Sequence, residues 1–310
     1  MRNIFAETIF KESQKNNKIF ILVADISPAG KMLKFQKQFP NRFLNVGVSE
    51  QTMIGMCAGL SMKGMRPFAY TISTFALYRP FEMIRVDLCY QNLPVTVVGM
   101  GAGTIYSNLG GTHLTQEDIS IARSVPNLNI IAPCDPLELE AAVKYCCNIS
   151  KSPVYLRIGK AGEKILTDKK NIKSWEFGKI RRIADGKNIC FLSFGPIINK
   201  AFNIRDKLKS KGIIPAIYSC HTLKPFDKIG LKEIFRQFST IVVIEDHSLI
   251  GGLGSIVKSN AFDFFYRGQI LNFSLKDKFI KCYGTQEDLL KKHGISEDHI
   301  FKYIIKSIKK

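Results

Sequence analysis

At 310 residues, with 45% hydrophobic and 23% charged side chains, the chain has apolar material for one large or two ordinary globular domains. It holds no run of about 18 apolar residues, so no transmembrane helix is expected, and Glu7 and Glu12 make the opening MRNIFAETIFKESQ read as an amphipathic helix rather than a signal peptide; a cytoplasmic protein is expected. The net charge of +19 is spread over KSK near 210, KDK near 277 and the KK pairs at 291 and 309 with no aromatic-interleaved stripe, so it reads as a lysine-rich surface that steers anions rather than a nucleic-acid site.

Strand and helix patterns alternate along the chain. KIFILVAD (18–25) is a buried-strand run, and RFLNVGV (42–48) is a second strand leading into a helix over 49–64. RPFAYTIS (66–73) is a third strand, followed by a helix from Tyr78 to about Gln91. LPVTVVGM (93–100) and LNIIAPC (128–134) are further strands, and Asp135-Pro136 opens a helix with proline at its first position. PVYLRIG (153–159) closes this part. Such alternation predicts an α/β fold with a mainly parallel sheet.

Polar residues from about Gly162 to Lys179 read as an interdomain linker. A second α/β unit follows: a strand at 188–195, a helix from Ile198 to Lys211, a strand at 214–220, a helix at 231–238, a strand at 240–246, and GGLGS (251–255) opening another helix. The expected division is 1–163, a linker at 164–179, and 180–310. The eight cysteines lack C-x-x-C spacing, so they read as small buried apolar residues rather than disulfide or zinc ligands; Cys220-His221 has no second ligand pair nearby.

In parallel α/β sheets ligands bind beyond the carboxyl ends of the strands. Asp25, Glu50, Phe75, the glycine-rich segment after Met100 and Arg157 all fall at such ends. Glu50 ends a strand and begins a helix, with Ser49 as candidate N-cap. An acid there could simply favour the helix dipole. However, its sequence neighbours Val46, Val48, Met53, Ile54 and Gly55 are apolar or small, so its carboxylate is expected to be desolvated and able to share a proton with a bound base. GMGAGTIYSNLGGTH (99–113) lacks the full dinucleotide spacing and runs on as a loop; a loop of this length is expected to be functional.

The run FPNRFLNVGVSEQTMIGMCAGLSMKGMRPFAYTISTF resembles the pyrimidine-binding domain of transketolase and deoxyxylulose-phosphate synthase. The family's Glu-x4-Gly pattern is matched by Glu50 and Gly55, with Ala58 and Gly59 after them, and GGTH supplies the family's loop histidine as His113. GKIRRIADGKNICFLSFG, HTLKPFD and IVVIEDHSLIGGLGS resemble the transketolase C-terminal domain, so the likeness runs from about Arg2 to Phe262.

The resemblance implies a thiamine diphosphate enzyme in which Glu50 hydrogen-bonds the aminopyrimidine and Phe75, Tyr78 and Phe81 border it, core packing being the other reading of these aromatics. It implies His113 as a catalytic and substrate-binding residue, with Arg157 and Arg2 as candidate anion ligands; either arginine could instead be structural. No Gly-Asp-Gly motif for the diphosphate and its Mg2+ (or Ca2+) is present. A separate subunit like the N-terminal half of transketolase is therefore implied, in an α2β2 assembly.

The substrate side departs from transketolase. Leu109 stands where the family has Asp, Gly101 where it has a second histidine, and Ala29 where it has a serine after the motif matched by Asp25-Ile26-Ser27-Pro28. The leading expectation is transfer of a two-carbon ketol unit between sugars or sugar phosphates. The alternatives are a 2-oxoacid dehydrogenase β subunit and a non-catalytic docking subunit.

Overall fold

The computed structural model describes residues 1–26, 32–168 and 170–308, so Ser27, Pro28 and Ala29 lie outside the described residues. The first part runs α1 (Arg2–Ser13), β1 (Ile19–Val23), α2 (Met32–Gln38), β2 (Phe43–Asn45), α3 (Glu50–Met62), β3 (Arg66–Ile72), α4 (Ser73–Leu77), α5 (Phe81–Met83), β4 (Thr96–Met100), α6 (Asp118–Ser124), β5 (Asn129–Ile131), α7 (Pro136–Asn148) and β6 (Val154–Ile158). The second runs β7 (Arg181–Ala184), β8 (Ile189–Ser193), α8 (Asn199–Lys209), β9 (Ala216–Ser219), β10 (Thr222–Lys224), α9 (Lys228–Gln237), β11 (Thr240–Ser248), α10 (Leu253–Asp263), β12 (Gln269–Leu275), α11 (Gln286–Lys292) and α12 (Glu297–Ile308).

Two sheets result. The first has seven strands in the order β10-β5-β6-β4-β3-β1-β2, parallel except for β10, and the second has five in the order β12-β11-β8-β9-β7, parallel except for β7. Both are covered on two faces, which is why β4 and β6 are buried at every position. On one face of the first sheet Phe5 and Ile9 of α1 pack with Phe68 and Tyr70, the Phe5 and Tyr70 rings stacking at 5.2 Å. On the other, Met53, Ile54 and Cys57 of α3 meet Leu22, Ala69 and Val97; this core continues through Leu223 and Leu231 to Cys190, Leu192 and Val243 of the second sheet. The far face of the second sheet packs Phe191, Val242 and Ile244 against Ile204 of α8 and Ile300 and Ile304 of α12.

The strand expected at 214–220 is shorter and is followed by β10, which leaves its own sheet and pairs antiparallel with β5 at the edge of the first. The helix expected over 78–91 is broken: α4 starts earlier, α5 is a short turn, and Ile84–Tyr90 is π-helical. As expected, α7 opens at Asp135-Pro136: the Asp135 carboxylate accepts from Glu138 N at 2.9 Å, and its second oxygen accepts from Leu166 N and Thr167 N at 3.0 and 2.7 Å. Leu166 and Thr167 of the polar stretch are thereby docked on α7; further along it Phe177 stacks on Tyr145 at 4.5 Å and Trp175 on His221 at 5.1 Å. All eight cysteines are unpaired and seven are buried. Among the described residues no helix is long and apolar enough to cross a membrane.

Candidate active site

The carboxyl ends of β1, β2, β3 and β4 meet at one rim of the first sheet. Glu50 is the first residue of α3 and only 2% exposed. Its environment is less apolar than the flanking residues suggest, since Val48 points outward at 68% exposure. The neighbour that matters is Arg79, which follows α4. One guanidinium nitrogen of Arg79 donates to both Glu50 oxygens, at 3.2 and 3.1 Å. The guanidinium carbon lies 4.3 Å from the centre of the Phe75 ring, and the Arg79 side chain remains 45% exposed. A buried carboxylate is thus covered by a flat, solvent-accessible cation resting on an aromatic face.

Phe75 meets His113 edge-on at 5.2 Å, so the glycine-rich loop joins the same cluster. His113 Nδ1 pairs with Thr112 Oγ1 at 2.9 Å, which leaves Nε2 available. The Tyr106 ring centre lies 6.2 Å from that of His113, and Lys160 Nζ lies over the Tyr106 ring at 4.7 Å from its centre. Tyr106 also accounts for Gly101: a Cβ there would run into the Tyr106 ring, and the backbone has φ of +70°. The aromatic side chain fills the space a larger residue at 101 would need.

The C-terminal part braces this loop. Thr104 donates through N and Oγ1 to the Asp246 carboxylate, and Gln286 Nε2 reaches Asp246 Oδ2 at 3.1 Å and Thr104 Oγ1 at 3.2 Å. Leu114 is buried against Ile280 and Leu289, and a Cβ on Gly110 would sit 2.8 Å from the Tyr283 ring.

The other expected site residues divide. Tyr78 and Phe81 are half-buried and pack on the core beside α3; the Tyr78 hydroxyl donates to Glu117 Oε2 at 2.8 Å. Only Phe75 of the three aromatics joins the Glu50–Arg79–His113 cluster. Arg2 lies near Lys160, its N bonding Lys160 O at 3.1 Å, and its Nε is buried without a hydrogen-bond partner. Arg157, expected as an anion ligand, is 4% exposed; its Nε donates to Asp118 Oδ2 at 2.8 Å and its Nη2 to the Asp246 carbonyl at 2.9 Å. The carboxyl end of β6 faces the seam between the two sheets, so this guanidinium is consumed internally. Asp118 also accepts from Tyr155 OH at 2.8 Å.

Below that seam lie two buried titratable groups. Burial pushes the Glu245 carboxyl up to about 7, although Gly254 N and Leu253 N donate to it at the start of α10. Burial also holds the His247 imidazole down at about 4, against the opposing pull of Asp118. Sequence reasoning missed Arg79, Tyr106, Lys160 and Asp118. Arg79 carried a faint signal, a lone cation wedged in the aromatic run YRPF.

Residues 1–162 match the family model described as Transketolase, pyrimidine binding domain, and residues 178–300 match Transketolase, C-terminal domain. The chain belongs to the transketolase family. It is 34% identical over 310 residues to a Methanocaldococcus jannaschii protein named "Putative transketolase C-terminal section", covering 100% of this chain and 96% of that one. It is 33% identical to the 1-deoxy-D-xylulose-5-phosphate synthase of Clostridium acetobutylicum, where it covers 97% of itself but only 48% of the relative, so the chain spans about half of that enzyme. It is 31% identical over 255 residues to a 6-deoxy-6-sulfo-D-fructose transketolase subunit of a Clostridium species, covering 82% of this chain and 78% of that one. Among solved structures, a split-gene transketolase described as an inactive β4 tetramer superposes with a TM-score of 0.89 at 32% identity, over 99% of this chain and 98% of that one.

Proposed function

We propose that the chain is the cofactor-activating subunit of a two-chain, thiamine-diphosphate-dependent transketolase in the cytoplasm. It would move a two-carbon ketol unit from a ketose to an aldose. The observation that carries this reading is the Glu50 cluster. A buried carboxylate faces a planar nitrogen donor that lies on the Phe75 ring. An aminopyrimidine has the same requirements: a flat body, an aromatic face to rest on, and a carboxylate for its ring nitrogen. The residues present therefore fit that end of the cofactor.

When bound, thiamine diphosphate supplies a nucleophilic carbon and an electron sink for cleaving the bond beside a ketose carbonyl. Glu50 would hold the proton at the pyrimidine nitrogen with Phe75 against the ring, while Tyr78 and Phe81, packed on the core beside α3, would border the ring from behind. His113, with Nε2 free, holds or moves a proton at a substrate oxygen. Arg2 binds the anionic end of the sugar, a role suited to its unpartnered Nε. The diphosphate and its Mg2+ or Ca2+ belong to a partner subunit, in an α2β2 assembly. The two parts of this chain are 1–163 and 180–310, joined by 164–179. The sulfo-sugar named for one relative supports a substrate whose anionic group need not be phosphate.

The test begins with a neighbouring reading frame carrying Gly-Asp-Gly, co-expressed with this chain. The purified complex is expected to transfer ketol units from a ketose donor to an aldose. Glu50→Gln should leave assembly intact and lower turnover by roughly 10²- to 10⁴-fold, the usual range for loss of a positioned proton-transfer group. Unchanged turnover in that variant, or decarboxylation of pyruvate as the main reaction, would count against the proposal.

A further inference from the structure

We infer that Arg79 is the resident occupant of the pyrimidine pocket, a side chain that takes the place of the cofactor ring and leaves when the ring enters. This rests on the proposed role of Glu50 and adds a residue that nothing in that reading assigns.

Three observations converge on it. The Arg79 guanidinium is planar and donates to both Glu50 oxygens, at 3.2 and 3.1 Å. It covers the Phe75 ring at 4.3 Å, within reach of a favourable cation–π contact. Its side chain is 45% exposed while that of Glu50 is 3% exposed, so the arginine lies on the solvent side of the pair and can swing away without unpacking the core. By contrast, Arg157 at 4% exposure has no such exit.

The arrangement answers a physical problem. A buried carboxylate without a counter-charge is costly. Until a ring arrives, Arg79 supplies that charge and keeps the pocket from collapsing or filling with water. Aminopyrimidine and guanidinium then compete for one carboxylate and one aromatic face. Whatever holds Arg79 in place is subtracted from the affinity for the cofactor.

The exchange makes a directional prediction for thiamine diphosphate binding, read by calorimetry on the assembled two-chain complex with Mg2+ present. Arg79→Ala should tighten binding by roughly tenfold, the worth of a partly exposed ion pair with a cation–π contact. Arg79→Lys keeps the charge but lacks the flat face, and should tighten binding by a smaller factor. It also carries the test if the alanine variant fails to fold. In a Glu50→Gln background Arg79 is no longer held by charge, so Arg79→Ala should change the affinity little; such a cycle isolates the coupling of the two residues.

Affinity that is unchanged or weaker in both Arg79 variants overturns the inference, because the guanidinium would then be neutral toward the bound cofactor or in contact with it. An equal effect in the Glu50→Gln background also overturns it. If no form of the complex binds the cofactor at all, the proposed function fails instead, and the two failures are thereby separated.

Discussion

Two arginine–carboxylate pairs stand at the strand ends of the first sheet, and they differ in what surrounds them. Arg79 and Glu50 meet at the rim, with the arginine side chain 45% exposed. Arg157 and Asp118 meet in the seam between the sheets, at 4% and 0% exposure. The same chemistry is exchangeable in one place and locked in the other. The locked pair has further partners on both sides: Tyr155, itself bonded to Ser73, in the first part, and the Asp246 carbonyl in the second. Among the described residues, the rim pair rests on Phe75 and its arginine side is open to solvent.

The sharpest way to break this comparison is to truncate each arginine. Arg157→Ala leaves Asp118 buried and unpaired and should cost about 3–5 kcal/mol, with loss of the contact between the two parts. Arg79→Ala exposes Glu50 to solvent once the guanidinium is gone, and should cost about 1.4 kcal/mol or less, the ion pair and the cation–π contact together. Urea denaturation of both variants measures the difference. Equal losses would mean that the rim pair is as structural as the seam pair.

The seam also holds a pH-dependent opposition. Glu245 titrates near 7 when folded, above its ordinary value, so the stability it contributes is present in acid and is lost as pH rises from about 4.5 toward 7. His247 titrates near 4 when folded, below its ordinary value, so its contribution is present at neutral pH and is lost as pH falls from about 6.5 toward 4. Between these limits the two nearly cancel. Going from about pH 6.5 to about pH 5, each alone is worth about 2 kcal/mol. His247→Gln should therefore gain stability on acidification relative to the unaltered chain, and Glu245→Gln should lose it. Parallel stability profiles for the three proteins would show that neither group is perturbed. The rim cluster should add nothing to this divergence.

How far the sequence revealed these regions follows the same division. Alternating apolar runs gave the parallel strands, and Asp135-Pro136 marked the start of α7, because periodicity and caps are local properties. Glu50 at a strand-to-helix junction was visible for the same reason, as was His113 in a glycine-rich loop. Partners across the fold were not. Nothing local says that Thr222–Lys224 will cross to the edge of the first sheet, or that Arg157 will meet Asp118 and Asp246 rather than a substrate. Arg79 was hidden because its significance lies in a residue 29 positions away in sequence. The strand-end rule points to the rim where Glu50, Phe75 and His113 gather, yet it cannot tell a strand end that faces solvent from one that faces another domain.

The smallest expected effect concerns how the second part reaches the rim without belonging to it. Tyr283 is 73% exposed, yet its ring occupies the space above Gly110, within the loop that carries His113. Gly110 has φ of +77°, so the loop already needs glycine there, and the tyrosine closes one side of it. Removing an exposed ring costs the fold little, within about 0.5 kcal/mol. The loop beneath it gains freedom, and if His113 has the catalytic role proposed for it, its wandering lowers the rate. Tyr283→Ser should therefore lower kcat/KM roughly fivefold, about 1 kcal/mol of barrier, while denaturation midpoints and co-purification with the partner stay unchanged. Tyr283→Phe keeps the ring and should retain full activity. If the serine variant is fully active, His113 is positioned by its own loop and by the buried Leu114–Ile280–Leu289 contact alone. If both variants lose activity equally, the hydroxyl rather than the ring matters, and Tyr283 acts by hydrogen bonding instead of by packing.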